Sequence, residues 1–120
     1  MLKDHFYEIT STVHQENTIL VTLRLNGEHE IFKGHFPGQP VVPGACILQM
    51  VKEILSAELK MDYHLKKADN LKFIAPVDPR VTDDLQLKIT YKHLDSGLQV
   101  NAVMSANEVV CFKMQGVFDH

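Results

Sequence analysis

Long apolar runs are missing from this sequence. No stretch approaches the roughly 20 consecutive apolar residues that span a bilayer, and the start, Met1-Leu2-Lys3-Asp4-His5, lacks the apolar core of a signal peptide. Neither a membrane protein nor an exported one is expected. Cysteine is scarce, with only Cys46 and Cys111. Without an export signal these read as two buried thiols and not as a disulfide, which points to the cytoplasm. Positive charge does not dominate either: 12 Lys and Arg against 15 Asp and Glu leave a net charge of -3. A surface that tracks phosphates needs a clear excess of Lys and Arg, so nucleic acid is not an expected partner. The seven His are scattered, and neither Cys-x-x-Cys nor His-Glu-x-x-His occurs, so no metal and no cofactor is implied. Repeats are absent too, and 45% hydrophobic with 22% charged residues is ordinary globular composition. The expectation is one domain over residues 1–120, large enough for a single core.

What the chain does have is concentrated punctuation. Three prolines and three glycines fall in the eleven residues from Gly34 to Gly44. Proline lacks an amide donor and glycine loses the most backbone entropy, so this stretch is a loop. It runs directly into Ala45-Cys46-Ile47-Leu48-Gln49-Met50-Val51-Lys52-Glu53-Ile54-Leu55, the longest apolar run with helical spacing. The spacing predicts a helix from Gly44 or Ala45 to Leu59 or Met61. Its apolar positions cover most of the circumference, leaving a narrow polar stripe of Gln49, Lys52, Glu53, Ser56 and Lys60. His35 on the loop and the unpaired amides at the helix start make a place where an oxygen could be held and a proton moved. A hydrogen-bonded structural histidine would give the same pattern.

Strands flank this unit. Phe6 to His14 mixes β-branched and polar residues, and Thr18 to Asn26 alternates cleanly, with a turn at Gln15-Glu16-Asn17 between them. His29 to Lys33 reads as a short extended piece. Leu65 to Val77 is predicted as a long strand, punctuated by Asp78-Pro79-Arg80. Leu85, Leu87, Ile89 and Tyr91 alternate with Gln86, Lys88, Thr90 and Lys92 as a half-buried strand. Asp95-Ser96-Gly97 turns it back into Leu98 to Ala106, and Asn107-Glu108 turns again into Val109 to Phe118. One helix cannot cover both faces of such a sheet, so an α+β architecture with a curved antiparallel sheet wrapped around the helix is expected. The open edge favours pairing with a second copy, at least a homodimer.

His35-Phe36-Pro37-Gly38-x-Pro40-Val41-x-Pro43-Gly44 before an apolar helix closely resembles the signature of the 3-hydroxyacyl-acyl-carrier-protein dehydratases of fatty-acid synthesis, which have the hot-dog fold. Leu71-Lys72-Phe73-Ile74-Ala75-Pro76-Val77-Asp78-Pro79 is similar to a later segment of that family. The resemblance implies elimination of water from a 3-hydroxyacyl thioester carried by acyl carrier protein or CoA, with the site between two subunits. By position, His35 matches the catalytic histidine and Gly44 the glycine whose amide faces the thioester oxygen. Phe36, Ala45 and Phe73 are implied at the substrate, and Phe36, Ile47, Phe73 and Met50 suit an acyl tunnel and core packing equally. The family's carboxylate falls fourteen positions after the histidine, where this chain has Gln49. An amide can hold a water or a hydroxyl but cannot exchange a proton. One turn on, where these dehydratases often carry Gln, stands Glu53.

Three readings of that exchange stay open. Glu53 takes over as the acid; Gln49 orients water for thioester hydrolysis, as in other hot-dog enzymes; or the chain is a degenerate acyl-binding or partner subunit. An ordinary solvated or ion-paired helix residue is the plain reading of Glu53. Cys46, in the first turn, is either a thiol made acidic by the helix dipole or a buried structural one. Lys66, Lys67, Lys72 and Arg80 could form a basic patch for a carrier protein. The segment that commonly precedes the first strand in these dehydratases is expected to be absent or much reduced.

Overall fold

The computed structural model describes residues 3–4, 6–26, 42–78 and 84–120. The predicted extended piece at 29–33, His35, Phe36 and Arg80 lie outside them. The described elements are β1 (Tyr7–Gln15), β2 (Thr18–Leu25), α1 (Gly44–Leu59), β3 (His64–Phe73), β4 (Leu85–Leu94), β5 (Gly97–Ala106) and β6 (Val109–Asp119). They form one curved six-stranded sheet in the order β1-β2-β4-β5-β6-β3, every neighbouring pair antiparallel, with α1 against it. This is the α+β hot-dog fold.

The period-2 pattern decides which face is covered. Ile19, Val21 and Leu23 of β2, Leu85, Leu87, Ile89 and Tyr91 of β4, and Leu98, Val100, Ala102 and Met104 of β5 are all buried. Ile47, Met50, Val51, Ile54 and Leu55 of α1 meet them. Each such side chain contributes about 1.5–3 kcal/mol when fully buried. Ile47 and Met50 thus belong to the core. On β6, Cys111 and Phe112 are adjacent yet both buried, which a plain strand forbids. A bulge reconciles them: Met104 pairs with Phe112 and Ser105 with Val110, leaving Cys111 as the extra residue.

Beyond Phe73 the chain leaves the ladder four residues earlier than the predicted end at Val77. The amides of Ile74 and Ala75 both donate to the Cys111 carbonyl (2.8 and 3.2 Å), and Pro76 has no amide to give. Val77 instead accepts a hydrogen bond from the Val42 amide (2.9 Å), which ties the entry of α1 to the exit of β3. The turns follow their residues. Asn107 and Glu108 both have positive φ (51° and 69°), as a two-residue hairpin requires. Gly97 has φ 154°, where a Cβ would lie 2.2 Å from the Phe118 carbonyl oxygen.

The two sheet edges differ from the middle. All ten residues of β3 are exposed, including Leu65 and Leu71, and among the described residues β6 is its single neighbour. At the opposite edge Phe6 and Tyr7 plug the sheet under α1, both buried. No helix among the described residues is long and apolar enough to cross a membrane.

Candidate active site

Helix α1 begins without a cap. Pro43 sits at the N-cap position in an extended conformation and has no side chain to accept a hydrogen bond, and the first turn contains no acidic residue. Its carbonyl takes the amides of Cys46 (3.0 Å) and Ile47 (3.3 Å), the first helical bonds. Among the described residues the amides of Gly44 and Ala45 are therefore the helix's orphan donors, lying at the positive end of its dipole. Ala45 is exposed and Gly44 half-buried.

At Gly44 an aromatic ring occupies the space that a Cβ would take. An added Cβ would stand 2.7 Å from Cε1 and Cζ of Phe73. That ring leans on Phe112 (centroids 5.2 Å apart) while Phe73 remains 55% exposed. It is thus neither core nor fully solvated, and forms an apolar wall beside the uncapped amides. Gly44, Ala45 and Phe73 are brought together at the mouth of the helix.

One and a half turns along, the polar stripe is not a solvated face. Glu53 is 7% exposed, the one buried charged residue among those described. This corrects the plain reading of it as a surface side chain. Its Oε1 accepts the Tyr7 hydroxyl (3.1 Å) and the Lys3 backbone N–H (3.0 Å), and its Oε2 accepts Nε2 of Gln49 (2.9 Å). A buried carboxylate survives only with such donors. In turn the Tyr7 phenol is pushed well above its ordinary range, first by burial and then by the Glu53 charge, so it stays a donor. Sequence reasoning missed Tyr7 and Lys3 because they lie 46 and 50 positions from Glu53.

The remaining candidates fall elsewhere. Burial pushes the thiols of Cys46 and Cys111 upward, as in buried structural cysteines, and both are free. Lys66, Lys67 and Lys72 are exposed on β3, with Lys67 paired to Asp69 at 3.3 Å and Lys72 opposite Lys113. At the far end of the helix His14 bridges Glu58 (Nδ1, 3.1 Å) and the Tyr91 hydroxyl (Nε2, 2.8 Å), a network that sequence spacing did not signal.

With an uncapped helix start, an aromatic wall and a buried carboxylate beside Gln49 in place, the comparison with known families is decisive. The model of the ApeI-like family, described as ApeI dehydratase, matches residues 11–113. The chain belongs to the ApeI-like dehydratase family. A 3-hydroxyacyl-[acyl-carrier-protein] dehydratase FabZ of Aeromonas hydrophila is 31% identical over 119 residues, covering 88% of this chain and 72% of that protein. The FabZ of Lactococcus lactis is 34% identical over 82 residues, 62% of this chain and 54% of its own length. The FabZ of Syntrophobacter fumaroxidans is 32% identical over 97 residues, 74% of this chain and 63% of its own. The chain thus spans between half and two thirds of the length of these last two relatives. Among solved structures, the dehydratase heterocomplex ApeI:P from Xenorhabdus doucetiae aligns with a TM-score of 0.76 at 18% identity, covering 94% of this chain and 97% of that one. A hypothetical thioesterase protein with coenzyme A from Streptococcus pneumoniae aligns at 0.65 and 13% identity, covering 98% and 90%. Both likenesses speak to the fold shared by ApeI-like and other hot-dog chains.

Proposed function

We propose that the protein is a hydro-lyase that removes water from a 3-hydroxyacyl thioester, on acyl carrier protein or CoA, to give the 2-enoyl thioester. The observation that carries this reading is the Gln49–Glu53 pair, which provides a hydrogen-bonding amide backed by a buried carboxylate on the helix face where the dehydratases need one. The thioester oxygen would accept the orphan Gly44 amide, a fixed donor aligned with the helix dipole as enolate character develops. The acyl chain would lie along Phe73, Phe36 and Ala45. His35 would take the proton from the carbon beside the carbonyl. The departing hydroxyl needs one proton, and the same imidazole can return it, so atoms balance with a single acid-base group. Gln49 and Glu53 then have only to hold the hydroxyl while its bond to carbon breaks.

Two copies would pair through β3, whose exposed Leu65, Leu71 and Phe73 and whose outer edge, unpaired among the described residues, suit continuation of the sheet. The test is conversion of a 3-hydroxyacyl carrier-protein thioester, followed by mass loss of water. Turnover that vanishes in His35→Ala supports the reading, and turnover no greater than that variant's overturns it. A second reading, a partner subunit that binds acyl thioesters without acting on them, draws on Gln49 standing fourteen positions after His35. Heterocomplex formation by the Xenorhabdus dehydratase is in keeping with it. On that reading Gln49→Glu creates activity where the parent has none. Release of free thiol without enoyl product would instead mark a thioesterase.

A further inference from the structure

The contact between Gln49 and Glu53 decides which end of the Gln49 amide faces outward. A carboxylate oxygen only accepts, so the hydrogen between the two groups comes from Gln49, and its Nε2 lies 2.9 Å from Glu53 Oε2. The other carboxylate oxygen is engaged by the Lys3 backbone N–H, which cannot accept, and by the Tyr7 hydroxyl. These anchors come from the β1 end of the sheet and hold the carboxylate in place from behind. With its nitrogen taken, Gln49 presents its carbonyl Oε1 on the opposite side. Among the described residues no donor reaches that oxygen, and it is not a buried atom left unpaired. It can therefore serve a ligand that has a hydrogen to give.

Resting on the reading that a 3-hydroxyacyl thioester occupies the mouth of α1, we propose that Glu53, anchored by Tyr7, is a positioning residue that locks the Gln49 amide with its carbonyl toward the substrate, and that this lock selects 3-hydroxyacyl over 3-oxoacyl thioesters. A hydroxyl donates to Oε1. A ketone at the same carbon is only an acceptor, so two oxygens would face each other with no hydrogen between them. An unmade bond of this kind lowers affinity about tenfold or more.

Glu53→Gln is nearly isosteric and reverses the lock. Its amide oxygen must still receive Lys3 and Tyr7, so its NH2 faces Gln49, which turns over to accept. Gln49 then presents N–H groups, which hydroxyl and ketone both accept. The double variant Gln49→Glu/Glu53→Gln restores an outward acceptor, because the new amide donates to the new carboxylate.

The experiment measures dissociation constants for a matched pair of short pantetheine amides, one 3-hydroxyacyl and one 3-oxoacyl, on folded parent and variants. The expected hydroxy-to-oxo preference is about tenfold in the parent, near unity in Glu53→Gln and recovered in the double variant. Loss of affinity for both ligands alike, with the ratio unchanged, overturns the lock in favour of a merely structural Glu53. If Glu53→Gln does not fold, Gln49→Met, which has no group to present, decides the matter: a parental ratio there overturns the proposal. A second readout needs no ligand. The Gln49 side-chain amide resonances should shift markedly in Glu53→Gln, and their staying put overturns the lock by itself. A parent that shows this shift but binds neither amide keeps the locked carbonyl, and overturns the thioester reading and the selectivity built on it.

Discussion

The polar stripe of α1 has one spacing and two environments. On one side Gly44 and Ala45 leave amides uncapped, and Glu53 turns inward onto Tyr7 and Lys3 while taking the Gln49 amide. Toward Lys60 the helix is finished by residues near it in the chain. Lys60 adopts a left-handed conformation (φ 55°) and returns its amide to the Ser56 carbonyl, which also takes the Met61 amide (3.1 Å). The Ser56 hydroxyl accepts the Tyr63 amide (3.0 Å), and Lys52 pairs with Asp62 (3.0 Å) beside His64. A helix end closed by its own residues is for stability. An end left open beside a buried carboxylate is where a ligand's oxygens could replace the missing partners.

The comparison breaks most visibly at Glu53. Glu53→Ala should cost about 3 kcal/mol in denaturant unfolding, because it strands the buried Tyr7 hydroxyl and the half-buried Lys3 and Gln49 donors at once. Tyr7→Phe should cost about 1.5 kcal/mol through one lost charge-assisted bond. It also changes the alkaline limb. The Tyr7 pKa is raised on folding, so its contribution is fully present below its ordinary 10.0 and is lost as pH rises above that value. The parent should therefore lose stability above pH 10 faster than Tyr7→Phe, as followed by unfolding at stepped pH.

Smaller effects separate the two helix ends. Pro43→Asp gives the open end a capping side chain and should stabilise the fold by about 1 kcal/mol. It should at the same time lower kcat/KM, because the cap competes with the thioester oxygen for the same amides. Lys60→Gly relieves the left-handed backbone at the closed end and should stabilise by about 1 kcal/mol with no change in kcat/KM. Asp62→Asn should leave the melting temperature within error, since that carboxylate is fully exposed. Its titration should nonetheless lie below the usual carboxylate range, held there by the Lys52 hydrogen bond and the His64 charge, and should return upward with added salt.

Much of this fold was legible because its signals are local. Alternation in β2 and β4 named the buried residues one by one, and the Pro-Gly loop marked the start of α1 at Gly44. The end of β3 was not legible, since it depends on the bulge at Cys111, fixed across the sheet and 38 positions beyond Phe73. Phe73 looked equally like core or tunnel. Only the approach of its ring to Gly44 shows it as a half-exposed wall. Of the site, the helix residues were named from spacing and resemblance, His35 from its place in the loop before the helix and from resemblance, and Phe36 from resemblance alone.

By itself the sequence determined the order of elements, the face each strand buries and the helix stripe that carries Gln49 and Glu53, because periodicity and punctuation act over a few residues. Only the tertiary structure decided that Glu53 lies inside. That outcome needs Tyr7 and the Lys3 amide, which no local pattern places beside it, to supply the hydrogen bonds without which a carboxylate would have stayed in water.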